Sequence, residues 1–322
     1  MRSALRDPRL SGSASRRGRT AARWLLLFAG LACAGFAAAL EVTDDAGATV
    51  RLGAPARRIV SLTPHATELL FAAGAGARVV GVSGGSDWPA EARALPVVGD
   101  SRGLDLERIV ALAPDLAVAW PYTPAAQLAA LRARGVAVFN AEPKTIDGIA
   151  TDLERLGTLA GTEPAAAARA AEFRARLAQQ KARHAGKAPV RVFYEVWHAP
   201  LFTIGGRHLV TEAIGVCGGE NVFAALPAPA PIVSVEAVLA AAPDAVVAGA
   251  DGGVRPAWLD EWRRWTTLPA AAQGHLFVVN ADLLHRAGPR FLDGVDELCT
   301  ALDAARRLHL TDPPGRPVAR AR

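Results

Sequence analysis

The chain has 322 residues, 51% of them hydrophobic and 21% charged, with 36 Lys and Arg against 31 Asp and Glu. That length allows two domains with separate cores, and the composition is that of a globular chain, not a disordered one. The formal charge of +5 is no nucleic-acid signature, because one end of the chain supplies it.

Residues 1–39 read as a signal peptide. Arg16, Arg17, Arg19 and Arg23 form a basic region, residues 24–39 are apolar, and Ala37-Ala38-Ala39 is the small-x-small pattern of a cleavage site. The apolar run is short for a membrane span. Ser15-Arg16-Arg17 resembles the start of a twin-arginine signal, but the bulky residues expected after it are missing. The segment carries seven Arg and one Asp, so its removal takes Lys and Arg from 36 to 29 and Asp and Glu from 31 to 30. The exported chain is then near neutral and is expected in the periplasm. It keeps two cysteines, Cys217 and Cys299, which in an oxidising compartment read as one disulfide.

The mature chain alternates strand and helix signals. RIVSL at 58–62 is a strand, followed by a helix with Thr63 as N-cap and Pro64 at its first position, ending at Gly74. Strands are expected at 79–83, 116–120 and 136–140, with helices at 106–113 and 125–134. Residues 146–184 hold no strand signal. Leu153, Leu156 and Leu159 mark one helix there, and Pro164 opens a second through the Ala-rich stretch to Lys181. From a strand at 191–197 the alternation resumes to about Leu308. The expectation is an α/β fold of two lobes, 40–145 and 188–311, joined by a helical connector at 146–187 and followed by a loose tail at 312–322.

An internal repeat supports two lobes. LERIVALAPDLAVA at 106–119 aligns without a gap on VEAVLAAAPDAVVA at 235–248, with seven of fourteen positions identical. Asp105 and Ser234 are the expected N-caps, which puts Glu107 and Glu236 in the first turn of equivalent helices. A carboxylate there suits the helix dipole; the functional reading is that each lobe presents one acid to a partner.

Tests for chemistry come back empty. There is no phosphate loop, no H-E-x-x-H and no G-x-S-x-G. Gly74-Ala75-Gly76 follows a helix and precedes a strand, the reverse of a dinucleotide loop, and reads as a helix cap. The seven His are scattered; His65 and His285 lie at strand ends and are the candidates for a metal contact. Trp88, Trp120 and Trp197 also lie at strand ends, where they can offer a flat apolar surface to a large ligand. Trp258, Trp262 and Trp265 have helical spacing and read as a packing stripe.

The motifs RIVSLTPHATEL (58–69), GVSGGSDWP (81–89), LERIVALAPD (106–115), VCGGEN (216–221) and RAGPR (286–290) resemble, in order and spacing, the periplasmic cobalamin-binding proteins of ABC-type importers, within the helical-backbone metal-receptor group. The resemblance covers about 58–308. It implies two α/β lobes bridged by one long helix, little hinge motion, and a ligand cleft between the lobes. It implies docking of Glu107 and Glu236 onto arginines of the membrane permease subunits, and a disulfide between Cys217 and Cys299. It further implies ligand contacts from Trp120 and from a loop holding Asp282, Leu283, Leu284, His285 and Arg286. Aromatic positions of the group correspond to Gly85, Ser101 and about Ala230 here, with Trp88 and Trp197 as the residues that could compensate.

The expected function is therefore capture of a cobalamin-like corrinoid, cobalt being carried by the ligand, with no resident cofactor, no catalysis, no nucleic acid, and a monomer when free. Haem or a ferric siderophore is the alternative within the same fold. Haem would call on Tyr122, Tyr194 or a His, and a siderophore on Arg102, Arg286 and Arg290. A secreted α/β hydrolase is the alternative from another class, and it lacks a nucleophile and base at any recognisable spacing.

Overall fold

The computed structural model describes residues 39–100 and 102–311. The expected signal peptide (all but Ala39), the tail at 312–322 and Ser101 lie outside the described residues. Strands β1 (Leu40–Thr43) and β2 (Thr49–Leu52) open the described chain as an antiparallel hairpin. The Asp44 carboxylate closes the hairpin turn by accepting from the Ala46 and Ala48 amides. It also accepts from Asn140, which clasps the hairpin to a later strand.

Then come β3 (Ile59–Ser61), α1 (Pro64–Ala72), β4 (Val79–Val82), the short pair β5 (Gly99–Asp100) and β6 (Gly103–Leu104), α2 (Leu106–Ala111), β7 (Leu116–Ala119), α3 (Ala125–Arg132) and β8 (Ala137–Asn140). Two long helices follow, α4 (Ile146–Ala160) and α5 (Glu163–His184). The second half holds β9 (Val190–Glu195), α6 (Leu209–Val216), β10 (Gly219–Asn221), α7 (Val235–Ala241), β11 (Ala245–Ala250), a 3-10 segment at Ala257–Arg264, α8 (Pro269–Ala272), β12 (Leu276–Asn280), α9 (Ala281–Leu284) and α10 (Phe291–Thr311).

Each half builds one four-stranded parallel sheet, and the topology is the same in both. The orders are β4-β3-β7-β8 and β10-β9-β11-β12, so the first strand of each half lies between its second and third. The repeat falls on α2–β7 and α7–β11, the helix and third strand of each sheet. Asp105 and Ser234 do cap those helices, accepting from the Arg108 and Ala237 amides.

The Ala-Pro-Asp turns of the repeat share their details. Ala113 and Ala242 both take positive φ, 44° and 43°. In each, the turn aspartate accepts from the backbone amide at the head of the first strand: Asp115 from Arg57 and Arg58, Asp244 from Arg191. The arginine there returns a bond to the end of the helix, Arg58 to the Leu112 carbonyl and Arg191 to the Ala241 carbonyl. The motif thus staples the third strand to the first, which is why the Pro-Asp pair recurs.

Strand alternation divides the core in the same way twice. Ile59, Leu116 and Val118 of one sheet, and Val192, Tyr194 and Val247 of the other, enter a single apolar cluster that also takes in Leu153, Leu156, Phe173 and Leu177 of α4 and α5. The opposite faces close separately, with Ile109 of α2 on one and Val238 of α7 on the other. A core running unbroken through both lobes resists hinge motion, because opening it would expose packed apolar surface to water at about 25 cal/mol per Å².

α5 spans 22 residues, longer at both ends than the stretch from Pro164 to Lys181 suggested. Thr162, ahead of its first turn, donates to the Ala73 carbonyl of the first half, and Gln180 near its end donates to the Leu292 carbonyl of the second. The tryptophan stripe packs as expected: Trp262 is buried in the outer core of the second half, and half-buried Trp258 and Trp265 lie against the same cluster, the segment that carries them being 3-10 over Ala257–Arg264. The β1–β2 hairpin was not anticipated. The segment expected as a loop around Asp282 is the helical turn α9.

Cys217 and Cys299 are joined across 82 residues, tying the end of α6 to α10. A closed loop of that size stabilises by about 4 kcal/mol in the chain-entropy account. A Cys217→Ser, Cys299→Ser variant is expected to lose a comparable amount in denaturant unfolding; unchanged stability would mean the bridge constrains nothing.

A second prediction concerns pH. Asp152 is buried in α4 beside Asp45 and Arg155, and its Oδ2 has no hydrogen-bond partner among the described residues. Burial and then the Asp45 charge push its carboxyl up to about 9. The native state therefore holds a proton that the unfolded chain releases near pH 4. Its contribution to stability is complete below that pH and is lost as pH rises toward 9. Asp152→Asn should flatten the fall of melting temperature between pH 5 and 9; an unchanged slope would show that Asp152 is already ionised.

Candidate ligand cleft between the two lobes

In parallel α/β sheets ligands bind beyond the carboxyl ends of the strands. Here the strand ends of the two lobes meet through charge. Asp87, in the loop after β4, accepts from Arg286 of the segment after β12 at 2.5 Å. Glu68, on α1 and only 3% exposed, accepts two bonds from Arg290, at 3.0 and 2.6 Å. Arg286 lies 3.5 Å from the same carboxylate and 2.7 Å from Asp282 one helical turn back. Although burial pushes the Asp87 carboxyl up, the bond from Arg286 holds it below its usual range. At the other edge of the junction, the Ile146 amide at the head of α4 donates to Glu212 of α6 at 2.7 Å.

Trp120 is 40% and Trp197 62% exposed, one at the strand ends of each lobe. The Trp120 ring lies 4.5 Å from that of Tyr122 and edge-on to His65. Trp197 is steadied by a bond from its Nε1 to the Ala199 carbonyl. Gly85 has φ of +80°, the left-handed region that favours glycine, and a Cβ there would meet only Pro64. Ala230 lies exposed in the segment before α7.

Trp88 is placed differently from Trp120. Its ring lies under the Arg290 guanidinium at 4.8 Å. Together with Leu283, Phe71 and Pro289 it lines a hollow of about 810 Å³ that Arg169 and Arg176 of α5 also line. Leu284 is buried against Gly294 in the core.

His65, His198, His208 and His285 each have a protein partner. His65 is buried, with Nε2 3.0 Å from the Ala141 carbonyl, so Nε2 carries the proton. Burial lowers its basicity and keeps the ring neutral. His285 keeps an exposed face, but its Nε2 lies 3.0 Å from the hydroxyl of fully buried Tyr194. Burial pushes that phenol well up, so the hydroxyl stays protonated. His208 caps α6 through Nδ1, and burial lowers it to about 4. His198 bonds the buried Glu195, which also accepts from the Trp262 indole, and stacks on Trp258. No group of three His, Cys, Asp or Glu side chains converges to hold a metal among the described residues.

Glu107 and Glu236 are both exposed, in the first turns of α2 and α7. Bonds from the helix-end amide and Ser234 hold the Glu236 carboxyl below its usual range. Sequence reasoning missed Glu68, Asp87, His208 and Glu195. The signal for Glu68 was present: a lone acid in the apolar helix run PHATELLFA. Asp87 carried no signal, because its partner lies 199 residues away.

Removing Arg290 leaves Glu68 charged and buried with only the longer contact to Arg286. Arg290→Ala is expected to lower unfolding free energy by about 3 kcal/mol, and Glu68→Leu with Arg290→Met to restore most of it. Equal losses in the single and double variants would mean the pair does not hold the lobes.

A family model described as periplasmic binding protein matches residues 59–283. The vitamin B12-binding protein of Vibrio parahaemolyticus is 37% identical over 257 residues, covering 79% of this chain and 92% of that protein. Among solved structures, the periplasmic vitamin B12-binding protein of Vibrio cholerae superposes with a TM-score of 0.71 at 36% identity, covering 79% of this chain and 99% of that one. The periplasmic heme-binding protein RhuT of Roseiflexus sp. RS-1 superposes at 0.69 and 27% identity, covering 78% and 99%.

Proposed function

The chain belongs to the periplasmic binding protein family, and we propose from that premise that it captures cobalamin between its two lobes and hands it to an ABC importer. It is a binding protein and not an enzyme. The observation that carries the ligand assignment is the pair of exposed indoles, Trp120 and Trp197. Large aromatic faces left in water at strand ends are the surface a bulky planar ring system covers. Likeness to the vitamin B12-binding protein of Vibrio parahaemolyticus at 37% identity over most of both chains supports the same ligand.

The lobes run over 40–145 and 188–311, with 146–187 as the connector. The protein works in the periplasm after loss of its first 39 residues. Ligand contacts come from Trp120, Trp197, Asp282, His285 and Arg286, with room at Gly85 for corrin edge groups; Leu284, packed in the core, and Trp88, held under Arg290, make no contact. Glu107 and Glu236 meet arginines of the permease subunits. Their equivalent, solvent-facing positions on the repeated helices support that role.

Haem is the reading to test against. Tyr194 is fully buried and bonded to His285, which leaves Tyr122, 61% exposed, as the tyrosine with access to an iron.

The deciding experiment is calorimetric titration of residues 40–322 with cyanocobalamin, and with haemin in parallel. One-to-one cyanocobalamin binding, weakened about tenfold by Trp120→Ala as lost stacking predicts, is the expected result. Binding of haemin alone would move the chain to the haem branch. Glu107→Ala with Glu236→Ala should leave that affinity intact and abolish uptake through the importer; loss of affinity instead would refute the docking role.

A further inference from the structure

Three arginines were candidates for gripping an anionic ligand, and each is already held by an acid of this chain. Arg102 pairs with Asp100 at 2.7 Å. Arg290 forks onto Glu68. Arg286, whose side chain is 17% exposed, faces Asp87, Asp282 and Glu68 at 2.5, 2.7 and 3.5 Å. Around the junction, two cations therefore face three carboxylates. Asp251 adds further negative charge, since its field, like that of Asp282, reaches His285.

A ligand carboxylate entering here meets Arg286 already shared among three acids and adds a fourth negative charge where two cations already face three carboxylates. Like charges held close in a partly desolvated site repel, and Arg286 cannot neutralise the newcomer without weakening its hold on a chain acid. An uncharged carboxamide meets no such penalty. Its carbonyl can accept one of the guanidinium N–H groups that the acids leave unused, and its NH₂ can donate to a free lone pair of Asp87 or Asp282. Polar sites of this kind discriminate by repulsion of the wrong ligand as well as by attraction of the right one.

We infer that Asp87 and Glu68, with Asp282, make Arg286 a selector for ligands bearing uncharged carboxamides against the same ligands bearing carboxylates. This rests on the corrinoid reading, since the corrin rim carries primary carboxamides. It assigns specificity to two residues, Asp87 and Glu68, that lie outside the turn holding Arg286, one in a loop and one on a helix of the opposite lobe.

The test compares cyanocobalamin with its monocarboxylic acids, made by mild hydrolysis of the peripheral amides, on the mature protein at pH 7.5. The wild-type protein is expected to prefer the amide by about tenfold, the value of one lost charge-assisted bond. Asp87→Asn should shrink that preference mainly by improving acid binding, and Asp87→Glu should restore it. Glu68→Gln serves as a second variant, with Arg290 still in place. Equal wild-type affinity for amide and acid, or an unchanged ratio in both Asp87→Asn and Glu68→Gln, would overturn the inference. Should cyanocobalamin not bind at all, the corrinoid reading fails, and haemin against its dimethyl ester puts the same question. Preference for the ester would then support the selector, and preference for the free acid would refute it.

Discussion

A carboxylate that is 3% exposed cannot stay charged without close partners, and Glu68 finds both of its partners on the opposite lobe. The N-terminal lobe thus carries a buried charge that only the segment from Arg286 to Arg290 can neutralise. That requirement pins α1 to the stretch between α9 and α10. It also fixes where Arg286 projects, and brings Asp87 within bonding distance of it. The strand ends of the two lobes are therefore joined by the same ion pairs that hold the lobes together. Buried pairs of this kind add little net stability over apolar packing but penalise every arrangement that leaves one member alone, so their effect is to specify one mutual placement of the lobes.

The shared core works in the same direction. One apolar cluster runs from the first sheet through α4 and α5 into the second, and α5 is bonded at both ends, to Ala73 and to Leu292. A cleft set in such a frame is formed before the ligand arrives. Binding in a preformed cleft avoids the ordering that a closing hinge would require.

The repeat has a physical basis beyond likeness of sequence. In both lobes the Ala-Pro-Asp turn bends a helix into the central part of a parallel sheet, and its aspartate bonds the first strand. The helix before that turn covers the outer sheet face with one fully buried residue, Ile109 or Val238, flanked by half-buried apolar neighbours, and turns its capped first turn to water. An exposed acid at an equivalent point on each lobe follows from that geometry.

Much of this was legible in the sequence because it is local. The caps Thr63, Asp105 and Ser234, the Gly74 turn and the long second connector helix depend on neighbours within a few residues, and they appear where those neighbours place them. The β1–β2 hairpin escaped because four-residue strands hardly register as alternation, and because its anchor, Asn140, is 96 residues from Asp44. Aromatic positions at strand ends were equally readable, but what each ring meets was not. Trp120 stays beside Tyr122, while Trp88 is drawn onto Arg290 from the far end of the chain. By itself the sequence determined the α/β lobes, their repeat and the pairing of Cys217 with Cys299, since period, caps and cysteine number depend on local chemistry. Only the tertiary structure decided the ion pairs that join the lobes, because a buried acid and its arginines, more than two hundred residues apart, become one object only when the lobes pack on each other.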